Sequence, residues 1–579
     1  MSEEARPVGG REDRPAGAAG EQPFARELIR HALDSIADQM CLTVMRTAHS
    51  DIVKSAMDFS TALCDGRGRL IAQGLTLPNQ LGSIPDAIGA ALGAYRDRLA
   101  PGDVLIMNDP YRGGMHLPDI FVFKPVFVGR ALVAVVATVA HHTDVGGRAP
   151  GSIAHDSTEV FQEGLCIPPL KLYDRGEPSE AVHEFIRANV RVPEVVLGDI
   201  GAQLAASHVG EAGIVRLANR HGVEALERHF AGLLDYSERL TRAEIATWPD
   251  GTYRFVDHID DDGIHPEPIT IAVAVTVDGD AVAVDFAGTS PQVRAALNST
   301  FSFTKSVVYC AIRTLVRADV PNNAGYFRPI AVTAPAGTIV NPTRPAACAT
   351  RGLTGFRILD AVFGALAGAL PDRVPAAGDG GLSLLGVGGT RSDGQPFILV
   401  EVLAGSWGGR PDRDGVEAMP NIGANISNVP VETIETAYPL RIERYGFVPD
   451  TGGAGRFRGG LAMVRDYRLL ADATLSVRTD RGCFRPYGLV GGEAGTPSSN
   501  WLNPDGENRR LPGKFTLPLP AGAVFRHVLA GGGGHGDPRR RDPALVRRDV
   551  REERITPAYA RRVYGLAIDA AHGDRPTGV

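Results

Sequence analysis

The chain has 579 residues, of which 44% are hydrophobic and 22% are charged, and its formal net charge is -7. This composition is typical of a globular protein of roughly two to four domains, and it argues against a nucleic-acid or anionic-membrane partner. Six scattered cysteines without a Cys-x-x-Cys pair predict reduced thiols, and no apolar run is long enough to span a bilayer. We therefore expect a cytoplasmic protein.

The N-terminal region predicts a tail followed by a helix. Residues 1–22 are rich in Gly, Pro, Ala and charge and lack the apolar segment of a signal peptide, which predicts a disordered tail. Apolar residues then recur every four positions, which predicts a long amphipathic helix over residues 23–49 with this stripe in the core: Phe24, Leu28, Ala32, Ile36, Met40 and Val44.

Two predicted strands lead into clustered polar residues. The uncharged run 131–140 is typical of a strand buried on both faces, and residues 104–107 predict a shorter one. His141 and His142 follow the long run, and strand alternation allows only one of them to face a given cavity. His116 and Asp119 follow a turn, three residues apart. Such donors suit zinc, manganese, iron or cobalt. A turn-capping role for His116, with His141 and His142 bonded to backbone carbonyls, is an equally weighted alternative.

The rest of the chain predicts an α+β, multi-domain mixed fold. Helices are expected around residues 193–247 and 355–369, strands from Tyr253 to Phe286 with a hairpin turn at 278–280, and a last helix starting at Thr556-Pro557. The predicted divisions are a disordered tail (1–22), a metal-site α/β domain with the N-terminal helix (23–250), a mixed α/β segment (251–370), and a Gly-rich, β-rich domain with a C-terminal helix (371–579).

Two glycine-rich stretches, residues 452–460 and 531–536, invite comparison with phosphate-binding loops. Neither ends in Gly-Lys-Ser/Thr, and neither clearly opens a helix after a strand. Tight turns are the favoured interpretation, so the sequence shows no ATP site of its own.

From Phe24 to about Ala567 the chain resembles the hydantoinase B/oxoprolinase family. The motifs that carry the resemblance are Met57-Asp-Phe-Ser60, Asn108-Asp-Pro-Tyr-Arg-Gly-Gly-Met-His-Leu-Pro-Asp119, His141-His-Thr-Asp-Val-Gly-Gly147, Ala149-Pro-Gly-Ser152, Glu159-Val-Phe-Gln-Glu-Gly-Leu-Cys-Ile-Pro-Pro169, Gly405-Ser-Trp-Gly-Gly409, Tyr438-Pro-Leu-Arg-Ile-Glu-Arg-Tyr445, Gly452-Gly-Ala-Gly-Arg-Phe-Arg-Gly-Gly460 and Gly531-Gly-Gly-Gly-His-Gly-Asp-Pro538.

The resemblance implies one divalent metal ion, held by Asp58, His116, Asp119 and His141. Met115 stands where relatives more often have Thr, a change that leaves these four residues intact. It also implies a hetero-oligomer in which an ATP-binding partner, the hydantoinase A-like subunit, phosphorylates the oxygen of a cyclic amide. This chain would then be the B subunit, in which metal-bound hydroxide opens the activated ring.

Further residues near the motifs are candidates for catalysis. Asp144, Glu159 or Glu163 could act as general base, with Asp144 first on proximity alone, and His142 could carry a proton. Each is equally plausible as a structural hydrogen-bond or salt-bridge partner. Arg112 and Arg148 could each bind a phosphate or carboxylate, although pairing with an acidic residue at the surface is the favoured role for Arg148. For Cys166 a buried, unreactive thiol is favoured over a nucleophile.

Two other functions compete with cyclic amide hydrolysis. A subunit of an ATP-dependent ketone carboxylase, of the acetone or acetophenone type, would carry the same metal motif. A non-catalytic subunit that only supports its partner is the third option, and the presence of all four ligand-type residues argues against it.

Overall fold

The computed structural model describes residues 23–74, 77–380 and 383–568. The predicted disordered tail, residues 1–22, lies outside these ranges. No helix within them is long and apolar enough to cross a membrane.

The first region builds an antiparallel sheet flanked by helices. The sheet order is β2-β1-β5-β4-β3-β6-β7, and every pairing is antiparallel. Its elements are α1 (Pro23–Thr47), α2 (Asp51–Lys54), β1 (Phe59–Asp65), β2 (Leu70–Gln73), α3 (Pro78–Leu81), α4 (Ile84–Tyr95), β3 (Val104–Met107), β4 (Asp119–Val128), β5 (Ala131–His141), β6 (Leu170–Asp174), β7 (Glu177–Pro178), α5 (Glu180–Asn189), α6 (Pro193–His221) and α7 (Val223–Ile245).

Both predicted strands of this sheet are confirmed. β3 covers the expected residues, and β5 is buried on both faces from Val133 onward, which explains its uncharged sequence. The predicted α/β character is corrected to α+β, because tight connections such as the turn at Gly129 (φ 62°) join β4 to β5 as a hairpin.

Helix α1 confirms the predicted N-terminal helix but corrects its buried face. Phe24 and Leu28 are 74% and 52% exposed, whereas Ile36 and Met40 are buried. A four-residue step advances about 40° beyond one helical turn, so the predicted stripe drifts out of the core. The buried face packs on α6, where a Cβ added at Gly213 would lie 2.7 Å from Ile36.

The second region has a four-stranded sheet of order β11-β10-β9-β8. Its elements are β8 (Gly251–Ile259), β9 (Ile269–Asp278), β10 (Ala281–Asp285), α8 (Phe301–Leu315), α9 (Ala324–Phe327), β11 (Ile330–Thr333) and α10 (Arg351–Leu366). The predicted hairpin turn is confirmed, with Gly279 at φ 58°. α10 begins four residues before the expected start, and nearly every residue of it is buried.

The third region is the predicted β-rich part and contains two sheets, β13-β12-β16-β19 and β14-β15-β20-β17-β18, around one apolar cluster. Its elements are β12 (Ser383–Thr390), β13 (Pro396–Leu403), α11 (Val431–Ala437), β14 (Leu440–Val448), β15 (Ala462–Leu469), β16 (Ala473–Arg478), β17 (Ser499–Leu502), β18 (Arg509–Leu511), β19 (Lys514–Leu519), β20 (Val524–Val528), α12 (Pro543–Arg551) and α13 (Pro557–Tyr564). The last helix starts as predicted, since Thr556 Oγ1 accepts a hydrogen bond from Tyr559 N at 3.1 Å.

The glycine-rich stretches form a close-packed layer of backbone, which we call the glycine layer and define as residues 407–409, 452–460, 487–495 and 531–536. Gly409 N donates to Gly533 O and Gly453 N donates to Gly532 O, both at 2.8 Å. A Cβ at Gly533 would lie 2.0 Å from Tyr487 O. Within 452–460 and 531–536, all described, Gly536 alone has a positive φ. The prediction of tight turns is therefore wrong for most of these glycines, which are needed for close approach.

The three regions share buried contacts. One apolar cluster joins the first and second sheets, and a second runs from α1 to β13. Arg357 of α10 pairs with Asp480 beyond β16 and lies 3.4 Å from Asp257 of β8. The predicted divisions near residues 250 and 370 coincide with changes of sheet, while the buried clusters cross both.

Candidate active site

Three neighbouring strands bring polar residues to one end of the first sheet. Asp119 begins β4 and His141 ends β5, and the two are partners in the strand register. Asp58 immediately precedes β1, and its carbonyl oxygen accepts a hydrogen bond from His141 N at 3.0 Å. Met57 has φ 62°, an uncommon conformation that directs the chain into β1. The fold thus brings together residues that lie up to 83 positions apart.

His116 faces Asp119 with an unprotonated nitrogen. Its Nδ1 lies 2.9 Å from Ala349 O, and because a carbonyl oxygen only accepts, Nδ1 carries the proton. Burial, and then the charge of Arg351, lower the pKa of His116, so the ring is neutral. Its Nε2 lies 3.2 Å from Asp119 Oδ2 without forming a hydrogen bond. Two acceptors therefore face one another with no proton between them.

His141 and Asp58 complete the group. The rings of His116 and His141 are 4.9 Å apart, and burial together with His116 lowers the pKa of His141 to about 3. Burial and the nearby Asp119 charge raise the pKa of Asp58 to about 7. Gln80 Nε2 donates to Asp58 Oδ1 at 2.9 Å, which fixes the carboxyl group.

The donor set fits a divalent metal ion. His116 Nε2, His141 Nδ1 and Asp119 Oδ1 are buried and have no hydrogen-bond partner in the described ranges. Neutral imidazoles and carboxylates are ligands that such ions prefer. Nevertheless, no three His, Cys, Asp or Glu side chains of the described residues already have the spacing of a complete ligand set. Arg351 pairs with Asp119 Oδ2 in this arrangement.

A narrow cavity with a volume of about 40 Å³ lies beside these residues. Asp58, His116 and His141 line one part of it, with Arg351 and Arg478. Arg351 is also held by Phe303, whose ring centroid lies 4.3 Å from the guanidinium carbon. The remaining walls are mainly apolar: Leu77, Ile153, Phe303, Leu353, Phe356, Leu384, Val402, Ala424 and Ile426. Its lining thus combines charged and polar groups at one end with apolar walls elsewhere, which is the composition of a small-molecule site.

The two candidate catalytic residues do not line this cavity. His142 turns to the other side of the sheet, where its Nε2 lies 3.1 Å from Gln203 Oε1 on α6. Both oxygens of Asp144 accept hydrogen bonds, from the backbone N–H groups of Gly146, Gly151 and Arg191 and from the Arg191 side chain. These contacts give Asp144 the role of organising its loop and do not support the expectation that it activates water.

The other candidates do not line this cavity either. Glu159 is exposed, while Glu163 is buried and accepts hydrogen bonds from Cys348 N and Ala349 N. Glu163 thereby fixes the segment whose carbonyl orients His116. Arg148 pairs at the surface with Asp156, as favoured, whereas the exposed Arg112 lies 3.5 Å from the buried Asp109.

Cys166 is half-buried, not fully buried as predicted, but this burial still raises the pKa of its thiol to about 11, so the thiol stays protonated as expected for an unreactive cysteine. All six cysteines are free.

Sequence reasoning missed Gln80, Ala349, Arg351 and Arg478. None stands in a motif with recognisable ligand spacing, and each reaches the site through tertiary packing. The run Thr350-Arg351 before a predicted helix offered no signal of an ion pair with Asp119.

The sequence of residues 22–538 matches the family model for hydantoinase B/oxoprolinase. The chain belongs to this family. The caprolactamase subunit beta of Pseudomonas jessenii is 33% identical over 566 residues, covering 94% of this chain and 96% of its own. An uncharacterized protein of Methanocaldococcus jannaschii is 36% identical over 546 residues, covering 94% and 95%.

Solved structures agree with this membership of the hydantoinase B family. The crystal structure of the ATP-dependent caprolactamase from Pseudomonas jessenii matches with a TM-score of 0.90 and 30% identity, covering 95% of this chain and 97% of that one. A nucleotide-free acetone carboxylase matches with a TM-score of 0.89 over 95% of this chain and 80% of its own. At 19% identity, that second match shows a shared fold alone.

Proposed function

We propose that this chain is the B subunit of an ATP-dependent cyclic amide hydrolase and opens a ring activated by phosphorylation in a hydantoinase A-like partner. The observation that carries the proposal is the pair of facing acceptors, His116 Nε2 and Asp119 Oδ2, 3.2 Å apart beside a largely apolar cavity. Arg351 already pairs with Asp119 Oδ2, but His116 Nε2, His141 Nδ1 and Asp119 Oδ1 have no hydrogen-bond partner among the described residues, and a divalent cation would satisfy these three buried acceptors. Family membership and the caprolactamase relative support the substrate class.

Asp58, His116, Asp119 and His141 would hold one divalent ion, of zinc, manganese, iron or cobalt. Such an ion supplies Lewis-acid chemistry, since it lowers the pKa of water and stabilises negative charge developing on a substrate oxygen. Ala349 holds the proton of His116 on Nδ1 and keeps Nε2 available. Gln80 orients Asp58, and Arg351 holds Asp119 in its anionic form.

The apolar walls of the cavity would bind the hydrocarbon part of a lactam or hydantoin and exclude bulk water. An unstrained cyclic amide resists hydrolysis because resonance deactivates its carbonyl carbon. Phosphorylation of the carbonyl oxygen removes that resonance, and the described residues hold no phosphate-binding loop for this step. A separate ATP-binding subunit is therefore part of the proposal.

The test is to co-purify the chain with an A-like partner and to incubate the complex with ATP and each of several cyclic amides. ADP and ring-opened product are then measured in the same reaction. We expect ring opening that requires ATP and both chains. His141→Ala should abolish product while ATP consumption continues, whereas His208→Ala, an exposed position on α6, should behave as wild type.

Ring opening by the isolated chain without ATP would contradict the proposed division of labour. ATP turnover that requires bicarbonate and a ketone would instead identify the carboxylase alternative. Loss of ADP and product in strict proportion in His141→Ala would assign His141 to assembly or substrate binding.

A further inference from the structure

Arg478 is a buried cation whose guanidinium forms no hydrogen bond with any described residue. It ends β16 and is 1% exposed, yet none of its three guanidinium nitrogens has a hydrogen-bond partner in the described part of the chain. Its side chain lines the same cavity as Asp58, His116 and His141.

Other buried arginines of the protein are matched with carboxylates. Arg357 pairs with Asp480, Arg465 with Glu401, Arg481 with Asp360, and Arg541 with Asp549. Within the cavity, Arg351 pairs with Asp119 and packs on Phe303. Arg478 departs from this pattern.

The acids whose charges reach Arg478 are bound elsewhere. Glu163 accepts two backbone hydrogen bonds, and Asp156 pairs with Arg148 at 2.9 Å. Burial lowers the pKa of Arg478 to about 9, with Glu163 and Asp156 opposing that effect, so the guanidinium is still charged at neutral pH. An uncompensated buried charge costs several kcal/mol on an order-of-magnitude scale, which a bound anion would offset.

We propose that Arg478 binds the phosphoryl group of an O-phosphorylated cyclic amide in this cavity. The guanidinium presents a planar fork of N–H donors that matches phosphoryl oxygens and forms charge-assisted hydrogen bonds. Leu384 on β12 is the register partner of Arg478 and belongs to the apolar wall of the cavity. The hydrocarbon ring of the ligand could therefore contact Leu384 while its phosphoryl group binds the neighbouring Arg478. The inference rests on the proposed function, because that function supplies the phosphorylated ring.

The first experiment measures binding of inorganic phosphate to the full chain by calorimetry and by thermal unfolding. The variants are Arg478→Met, which removes the charge at similar volume, and Arg478→Lys, which keeps the charge without the fork. Arg510→Met makes the same change at an exposed strand position and is the matched control. Acetate replaces phosphate in a parallel series, because a substrate carboxylate could use the same donors.

We expect phosphate to bind and stabilise the wild type and Arg510→Met. Arg478→Met should bind it roughly tenfold to a hundredfold more weakly, with Arg478→Lys between, as expected for loss of charge-assisted hydrogen bonds. Without phosphate, Arg478→Met should unfold at the wild-type temperature or above, since it loses an unpaired charge.

Equal phosphate effects in all four proteins, or none in the wild type, would overturn the assignment. Binding of acetate but not phosphate would assign Arg478 to a carboxylate and also overturn it. A large loss of stability in unliganded Arg478→Met would reveal a structural partner, with the same consequence.

The complex with the A-like partner separates this inference from the proposed function. Wild-type ring opening with no effect of Arg478→Met would reject the Arg478 assignment and leave the function standing. Arg478-dependent phosphate binding without hydrolysis of any cyclic amide would reject the function and retain an oxyanion site.

Discussion

The position of the proton on the His116 ring determines what kind of group can bind beside its other nitrogen. Because Ala349 O holds the proton on Nδ1, Nε2 and Asp119 Oδ2 both present lone pairs across 3.2 Å. Glu163 makes that tautomer persistent, since it binds Ala349 N and the preceding N–H of Cys348. A side chain 22 residues beyond His141, the nearest proposed ligand in sequence, therefore helps to set the chemistry of the imidazole through the position of the backbone alone.

At this scale we predict that His116→Ala and Asp119→Ala lose the divalent ion while remaining folded. Removing one donor should weaken metal binding by more than about tenfold to a hundredfold, the range seen when even supporting groups are lost. Metal content per chain by elemental analysis, together with circular dichroism, checks this. His208→Ala should retain the ion. Stoichiometric metal in both site variants would make the ligand assignment wrong.

The site shows which functional residues can be predicted from a sequence pattern and which cannot. The apolar run of β5 predicted a buried strand, and His141 was therefore expected at its rigid end. Alternation correctly separated His141 from His142. Arg351 and Arg478 could not be placed in this way, because one starts a helix and the other ends a strand in different regions, and only tertiary packing brings them to the cavity.

Elements of the third region are joined by a buried imidazole. His527 of β20 lies 2.7 Å from Asn500 Oδ1 on β17 and 2.9 Å from Ser383 Oγ on β12, so it connects the two C-terminal sheets. Burial lowers the pKa of His527 to about 4. The neutral ring is therefore part of the packing between the sheets.

We predict that His527 makes the protein less stable in acid. Its folded pKa lies below its unfolded value near 6.5, so its contribution is complete above pH 6.5 and is lost as pH falls towards 4. His527→Gln should reduce this loss by about 3 kcal/mol across that interval, compared by denaturant unfolding at several pH values. His208→Gln is the exposed control. Parallel stability curves for wild type and His527→Gln would contradict the prediction.

The glycine-rich stretches were predicted to form tight turns, whereas most of their glycines allow close approach of other backbone segments, because the sequence cannot show which carbonyl oxygens approach each Cα. We predict that Gly533→Ala destabilises the protein by more than about 3 kcal/mol, since its Cβ would lie 2.0 Å from Tyr487 O. Gly89→Ala, on an exposed face of α4 with no atom within 4 Å, should stabilise by up to about 1 kcal/mol. Unfolding midpoints that change equally would refute this difference.

At the scale of the whole molecule, the packing of the glycine layer determines whether its backbone can bind a nucleotide. The N–H groups of residues 531–536 all donate to backbone carbonyl oxygens, most of them in other segments of the glycine layer, so they are not available to bind phosphates. We predict no measurable ATP binding to the isolated chain by calorimetry. Saturable ATP binding, unchanged in Arg478→Met, would show a nucleotide site in this subunit and reverse the assignment of ATP to a partner.

The glycine layer also bears on the order in which the chain can fold. Its segments come from residues 407 to 536, and each pairs with neighbours that are distant in sequence. Such non-local pairing carries a high loop-closure cost and forms slowly. During synthesis, residues 407–409 and 452–460 must wait until residues 531–536 have left the ribosome. A chain that stops before residue 531 would leave their backbone groups exposed, so the third region should reach its native packing only after residues 531–536 have been synthesised.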